Sequence, residues 1–324
     1  MENVIRTIGG ALLVGLLAVA GARAQEPGPI GTAGTRFRSG VDIVALSVVV
    51  TDTQGKFVGG LSVQDFTVTE DGLPQTVSFF AATPVPIDLA ILLDTSASMS
   101  DKMRTVQQAA VGFTASVRPG DRISVVGIKD AVRVLHPLDE DVAAARAAIR
   151  STTAGGNTSL YNALYLTLKE MMKHRRTDGE VRRQAIVVLS DGDDTTSLVG
   201  FDDVMELARQ SGVAVYTITL RSRISANVLL RDRGSYAASE YTMKAVAQET
   251  GARAFVPADI RELAGVYGVI ANELTNQYLL GYASNNARVD GSYRRVTVRV
   301  DRPGARTRTR AGYFAVPPAP VASR

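Results

Sequence analysis

The stretch IDLAILLDTSAS, residues 87–98, gives the strongest indication of the fold of this chain. Its first seven residues are apolar except for Asp88, and such a run is typical of a strand buried on both faces of a parallel sheet. Oxygen-bearing side chains follow as soon as the run ends, at Asp94, Ser96 and Ser98. Because ligands bind beyond the carboxyl ends of strands in open α/β sheets, the stretch predicts the sheet and also the edge where a site forms.

Apolar and amphipathic segments alternate from this stretch to about residue 275. The apolar runs that predict strands are 123–128, 185–189, 213–220 and 254–256. The amphipathic segments that predict helices are 103–117, 142–149, 159–173, 202–210, 241–250 and 260–274. This alternation predicts a doubly wound, mostly parallel, Rossmann-like α/β sheet over residues 84–275. Ser98 or Ser100 is the predicted N-cap of its first helix.

Strand patterns flank this α/β unit on both sides, at residues 37–83 and 276–316. The N-terminal flank contains an almost continuous apolar strand and a hairpin, in which an Asp-Gly turn joins Phe66–Glu70 to Thr76–Phe80. The strands predicted in the C-terminal flank are 278–282, 293–300 and 307–314. Neither flank has enough strands to bury two faces. We therefore expect one small β-sandwich built from both flanks, with the α/β unit inserted between them; two separate β units are the alternative.

Residues 1–24 have the pattern of a secretory signal peptide. Arg6 precedes the short apolar run Ile8–Ala20, and Ala22-Arg23-Ala24 supplies the small residues that a signal peptidase recognises. We expect cleavage after residue 24 and export to the periplasm, the cell surface or the medium; an uncleaved anchor is the alternative. No later apolar run is long enough to span a membrane. The remaining predicted segments are a Gly/Pro-rich linker at 25–36 and a disordered Pro/Ala-rich tail at 317–324.

The positive charge of the chain does not indicate nucleic-acid binding. The formal net charge is +4, and much of the excess lies in seven arginines between residues 294 and 310. These arginines alternate with Val and Thr, as on the solvated face of strands, and no helix-turn-helix, zinc finger or aromatic RNA-binding motif accompanies them. The chain has no cysteine, which excludes disulfides and lipidation of an N-terminal Cys.

Three separated segments predict one cation site. The first contains Asp94, Ser96 and Ser98; the second, GGNTSLY at 155–161, places Thr158 near the start of a predicted helix; the third ends a buried strand with Asp191, which we expect to be exposed. Each segment alone is explained by helix caps or a turn before glycine. Together, at one edge of the sheet, their hydroxyl and carboxylate oxygens favour a hard cation such as Mg²⁺.

The order of these segments resembles that of a von Willebrand factor A domain, and specifically that of the exported acidobacterial von Willebrand factor A-related family. The blocks D-x-S-x-S, G-G-x-T-x-L-Y and L-S-D-G match the three parts of that fold's metal ion-dependent adhesion site. Further similar stretches are 250–251, 277–282 and 310–314. The resemblance implies a binding module without catalytic activity.

The resemblance also implies a role for each site residue. Ser96 and Ser98 would bind the ion directly, Thr158 directly or through water, and Asp94 and Asp191 mainly through water. The ion would be Mg²⁺, with Mn²⁺ or Ca²⁺ as alternatives. An acidic side chain of an unknown partner protein would complete the metal shell.

Two positions depart from the pattern of the family. Asn162 stands where many relatives carry Asp, and Ile128-Lys129-Asp130 replaces the more usual end of that strand. Neither position supplies a ligand in the motif, so these departures bear on the choice of partner.

Two other functions compete with a metal-dependent binding module. The site could be vestigial in a structural domain, or the Asp191, Asp193 and Asp194 cluster could bind metal for hydrolysis. Against hydrolysis, His136 and His174 have no H-x-x-x-H spacing, and the chain has no G-x-S-x-G elbow and no Walker A loop. A long connection at 221–240, rich in Arg and Leu, is a hypothetical specificity loop beside the metal; an ordinary amphipathic helix is the alternative.

Overall fold

The computed structural model describes residues 43–82, 85–177, 182–191, 194–220 and 233–315. The predicted signal peptide, linker and C-terminal tail lie outside the described residues. The strands are β1 (Ile43–Thr51), β2 (Phe66–Glu70), β3 (Leu73–Gln75), β4 (Val77–Ala81), β5 (Ile87–Asp94), β6 (Arg122–Ile128), β7 (Val132–Asp139), β8 (Arg183–Ser190), β9 (Ala214–Thr219), β10 (Ala254–Phe255), β11 (Tyr278–Ala283), β12 (Tyr293–Val300), β13 (Arg306–Arg308) and β14 (Gly312–Phe314). The α-helices are α1 (Met103–Phe113), α2 (Val142–Arg150), α3 (Leu160–Thr177), α4 (Phe201–Ser211), α5 (Arg233–Glu249) and α6 (Leu263–Thr275).

A six-stranded sheet forms the centre of the α/β unit, in the order β10-β9-β8-β5-β6-β7. The five strands from β10 to β6 run parallel, and β7, the strand that carries His136, is antiparallel at the edge. Every residue of β5 and β8 is buried, because helices cover both faces. One core cluster joins the sheet to α1, α2 and α6, and another joins it to α3, α4 and α5. The predicted doubly wound, mostly parallel sheet is confirmed.

The two flanks together form a β-sandwich, as expected. One antiparallel sheet has the order β13-β1-β11-β4 and the other has the order β14-β12-β2-β3, so each combines strands from both ends of the chain. Apolar residues of both sheets, including Leu46, Val68, Tyr278 and Val298, pack into one shared core. Among the described residues, no helix has both the length and the apolar character that crossing a membrane requires.

Two predicted strand assignments in the flanks are wrong. The Asp71-Gly72 turn is present, with φ angles of 48° and 85°, but it joins β2 to the short β3. Residues 77–80 of the predicted hairpin arm belong to β4, which pairs instead with β11 in the other sheet. The predicted strand 307–314 is divided between β13 and β14, which also belong to different sheets.

Two predictions at helix starts are also wrong. The N-cap residue of α1 is Lys102, and neither Ser98 nor Ser100 occupies that position. The C-terminal part of the predicted loop 221–240 is helical, since α5 begins at Arg233, eight residues before the predicted helix start at 241. The rest of that segment, with its arginines and leucines at 221–232, lies outside the described residues.

Candidate metal centre

Asp94 is the buried centre of the candidate site, at the carboxyl end of β5. Its Oδ1 accepts a hydrogen bond from the Ser96 backbone N–H at 2.9 Å, and its Oδ2 accepts one from Ser190 Oγ at 2.5 Å. Ser190 is at the end of the neighbouring parallel strand β8, whose Leu189 pairs with Leu93 of β5. Parallel pairing of two buried strands therefore positions this carboxylate.

Burial raises the pKa of Asp94 above its ordinary value. The charge of Asp191 raises it further, and the hydrogen bonds from Ser190 and Ser96 lower it by less than burial raises it. The charged form of this carboxylate would consequently be stabilised by a cation beside it.

The two serines of D-x-S-x-S lie in the turn that follows β5. Ser96 Oγ and Ser98 Oγ are 3.0 Å apart; Ser96 is buried, whereas Ser98 is exposed. The turn is fixed by Thr95, whose N–H and hydroxyl both donate to the Ile128 carbonyl at 2.9 Å. Neither serine side chain makes a helix-capping hydrogen bond. Capping therefore does not account for this pair of hydroxyls.

The Gly155–Thr158 segment is bonded directly to that turn. Gly155 N–H donates to the Thr95 carbonyl at 2.9 Å, and Ala97 N–H donates to the Gly156 carbonyl at 3.0 Å. Gly156 has a φ of 78°, and a Cβ at this position would lie 2.2 Å from Oδ2 of Asp130, so glycine is required. Thr158 follows two residues later and is buried.

A loop after β8 is held against Thr158 and the start of α3. The Thr158 carbonyl accepts hydrogen bonds from Thr195 N–H at 2.9 Å and Thr196 N–H at 3.1 Å. Asp194 Oδ1 accepts from the Tyr161 N–H at 3.1 Å and from the hydroxyl of Ser197 at 2.6 Å. Asp194 thus fastens the loop, which explains its acidic side chain without hydrolysis; Asp193 lies outside the described residues.

Asn162, a departure from the family pattern, supports the same loop. Its side-chain carbonyl accepts hydrogen bonds from Leu198 N–H at 3.1 Å and Val199 N–H at 3.2 Å. The side chain of Leu198 is 95% exposed at the tip of this braced loop. Asn162 therefore holds this loop in place and contributes no ligand in this arrangement.

Asp191 is buried, and the expectation that it is exposed is wrong. The Lys102 ammonium explains how this carboxylate is accommodated, because Nζ lies 3.6 Å from Asp191 Oδ2. The same ammonium donates to the Ser98 carbonyl at 3.2 Å. Lys102 was not among the residues predicted for the site. In the sequence it is one lysine before a helix, and only its spacing of four residues from Ser98 could have indicated it.

The structure thus brings the three predicted segments to one edge of the sheet. The candidate ligands are the carboxylates of Asp94 and Asp191 and the hydroxyls of Ser96, Ser98 and Thr158. Within the described ranges, no three or more His, Cys, Asp or Glu side chains are grouped to hold a metal. A site here would combine two carboxylates with neutral hydroxyls, and this all-oxygen donor set fits a hard divalent cation.

Comparison with known proteins supports the family resemblance. Residues 89–193 match the family model described as von Willebrand factor type A domain. The chain is also similar to the UPF0353 protein of Mycolicibacterium paratuberculosis, with 24% identity over 199 residues, 57% of this chain and 60% of that protein. The chain therefore spans less than two thirds of the length of this curated relative. The match confirms the resemblance to the domain family; the narrower resemblance to the exported acidobacterial proteins stays a prediction.

Three solved structures are similar to the chain at low identity. The von Willebrand factor type A protein from Catenulispora acidiphila has 12% identity and a TM-score of 0.49, covering 87% of this chain and 75% of that one. The vWF domain of the type V pili tip protein Mfa5 from Porphyromonas gingivalis has 17% identity and a TM-score of 0.46, covering 59% of this chain and 95% of that one.

The third similar structure is that of proximal thread matrix protein 1 from the mussel byssus with a zinc-occupied MIDAS motif. It has 14% identity and a TM-score of 0.47, covering 63% of this chain and 49% of that one. Because all three TM-scores are below 0.5, the fold of this chain rests on its own sheet topology and on the family match.

Proposed function

We propose that this protein, whose residues 89–193 match the von Willebrand factor type A domain model, is a binding module that grips a partner protein through a divalent cation. The proposed ligands are Asp94, Ser96, Ser98, Thr158 and Asp191, acting directly or through water. Export to the periplasm, the surface or the medium stays the prediction drawn from residues 1–24.

The observation that supports the proposal is the buried carboxylate of Asp94 at the carboxyl end of β5, with the Ser96 and Ser98 hydroxyls in the turn after it and the segment of Thr158 bonded to that turn. Asp94 is fully buried, and its hydrogen bonds come from a hydroxyl and a backbone N–H. A hard cation such as Mg²⁺ suits these donors, with Mn²⁺ or Ca²⁺ as alternatives. With few carboxylates around it, the ion would act as a Lewis acid toward an acidic side chain of the partner.

Access from solvent supports binding of an outside ligand. Ser98 is exposed while Ser96, Thr158 and Asp191 are buried, so the donor set is open on the Ser98 side. The histidines do not contribute to this site, because His136 faces Asp139 and His174 faces Glu170. This arrangement favours holding a ligand over acid–base chemistry.

Metal-dependent stabilisation tests the proposal. An ion that binds only the folded state stabilises the protein by about 2.7 kcal/mol when its concentration is 100 times its Kd. We expect Mg²⁺ or Mn²⁺ to raise the melting temperature of the mature protein in calorimetry, and Asp94→Ala to abolish the rise. Asp301→Ala, which removes an exposed carboxylate elsewhere, is the matched control and should keep the rise. Absence of any rise with either ion would contradict the proposal.

A further inference from the structure

We propose that Lys102 is a built-in counter-cation, which competes with the metal ion for Asp191 and thereby sets the metal affinity of the site. The inference rests on the proposed function, since it concerns the same five ligands. It adds a residue that the metal-binding pattern does not contain.

The position of the Lys102 side chain is the first support. Its Nζ reaches both Asp191 Oδ2, at 3.6 Å, and the Ser98 carbonyl, at 3.2 Å, and so lies between two of the three predicted segments. Only 11% of the Lys102 side chain and 6% of the Asp191 side chain are exposed. A lysine side chain at the start of a helix can extend into water, so an interaction must favour the buried position of Lys102.

The helix itself does not supply that interaction. Lys102 is the N-cap residue of α1, where the helix dipole presents its positive end and disfavours a cation. Burying the side chain also costs rotamer entropy and hydration. One attraction that offsets these costs is the negative charge of Asp191, which is close enough to Asp94 to act on its pKa.

The flexible stem of Lys102 allows its ammonium to move away from Asp191. Charge-assisted N–H···O bonds in fixed ion pairs measure about 2.7–2.9 Å, and the Lys102–Asp191 separation is 3.6 Å. The ammonium is a point charge on a flexible stem, without the rigid fork of arginine. A divalent cation bound by Asp191 would repel the Lys102 ammonium at close range, so the metal ion and the ammonium cannot both lie beside Asp191.

Metal binding to such a site is an exchange of cations. The free energy of binding the ion is reduced by the loss of the Lys102–Asp191 interaction, so the native lysine weakens the affinity. Without metal, the same lysine compensates the buried carboxylates and stabilises the fold.

Neutral variants of Lys102 test the inference. Lys102→Met keeps the length of the stem without its charge, and Lys102→Gln in addition keeps an N–H donor that could reach the Ser98 carbonyl. We expect both variants to bind Mg²⁺ or Mn²⁺ at least tenfold more tightly than the wild type in isothermal titration calorimetry. In EDTA, both should melt at a lower temperature. Lys173→Met, which removes an exposed charge on α3, should change neither quantity.

The outcomes separate this inference from the proposed function. If the wild type binds metal and both neutral variants bind it equally or more weakly, Lys102 is not a competitor, although the metal site stands. If only the neutral variants bind metal, the lysine blocks the site, which supports the competition and overturns metal use by the native protein. If no form binds metal, both proposals are overturned. Melting in EDTA shows whether each variant is folded.

Discussion

Strand β5 carries a buried carboxylate at each end, and the two are compensated in opposite ways. At the amino end, Arg122 contacts Asp88 through two hydrogen bonds of 2.8 and 2.7 Å, and Arg182 adds a third of 2.7 Å. At the carboxyl end, Asp94 receives its bonds from a hydroxyl and a backbone N–H. Both carboxylates are almost completely inaccessible, at 1% and 0% exposure.

The pKa values of Asp88 and Asp94 are shifted in opposite directions, because different groups surround the two carboxylates. Burial raises the pKa of Asp88, but the hydrogen bonds and charges of Arg122 and Arg182 outweigh burial and hold this pKa below its ordinary value. For Asp94 burial prevails, and its pKa is raised. The amino end of the strand therefore has its cations built in as arginines, whereas Asp94 at the carboxyl end has a hydroxyl and a backbone N–H, and the nearby Lys102 contacts Asp191; this difference is what the proposed exchange of cations requires.

The largest expected difference between the two ends is in stability. Asp88→Asn leaves two partly buried guanidinium groups, with side chains 19% and 11% exposed, without their carboxylate. We expect a loss of about 3 kcal/mol, at the lower end of the cost of breaking a buried pair. Asp94→Asn, measured in EDTA, should cost about 1 kcal/mol or less, because a neutral amide needs no cation and can keep hydrogen bonds. Urea unfolding of both variants measures this difference. Equal losses of unfolding free energy would show that the two carboxylates of β5 are compensated to the same extent.

A smaller effect is expected when the hydroxyl support of Asp94 is removed. Ser190→Ala deletes the 2.5 Å bond to Asp94 Oδ2, and a hydrogen bond to a charged group contributes about 1.5–3 kcal/mol. Ser116→Ala, which removes a bond of 2.7 Å to the neutral Phe113 carbonyl, is the control and should cost less. Denaturant unfolding in EDTA compares the two; an unchanged stability of Ser190→Ala would mean that Asp94 does not depend on this donor.

The smallest effect concerns acid. Since the pKa of Asp88 is lowered on folding, its contribution to stability is present above the ordinary pKa and is lost as pH falls through the folded value. The difference in unfolding free energy between wild type and Asp88→Asn should thus begin to narrow as pH falls below about 4. The stability of both proteins should still fall somewhat in acid because of Glu70. Burial raises the pKa of this carboxyl, but hydrogen bonds from Ser284, Tyr313 and Tyr282, together with the charge of Arg294, outweigh burial and lower it. A difference in unfolding free energy between wild type and Asp88→Asn that stays constant from pH 7 to pH 3 would contradict this account of Asp88.

The sequence predicted most of the α/β unit because its strands are distinguished locally. A strand covered on both faces must be apolar throughout, as in β5 and β8, and this pattern is visible without knowledge of its neighbours. The same logic located Asp94, Ser96, Ser98, Thr158 and Asp191, since residues that follow parallel strands gather at one edge.

The flanks were harder to predict because alternation does not identify a pairing partner. The Asp71-Gly72 turn was correct, because positive φ angles are a local property. That β4 leaves this hairpin to pair with β11 depends on residues about 200 positions later in the chain. A strand pattern gives the face that is buried, whereas sheet membership is decided by contacts between distant segments.

The parallel sheet, its buried strands and the edge at which the candidate ligands were expected could all be predicted from local sequence, because periodicity and turn chemistry act over a few residues. Only the tertiary structure decided how each buried charge is compensated. Arg182, far from Asp88 in sequence, reaches the amino end of β5, and Lys102 reaches Asp191 across the site. Nothing local distinguishes these residues from surface cations, since an ion pair depends on where two separate segments bring their charges together.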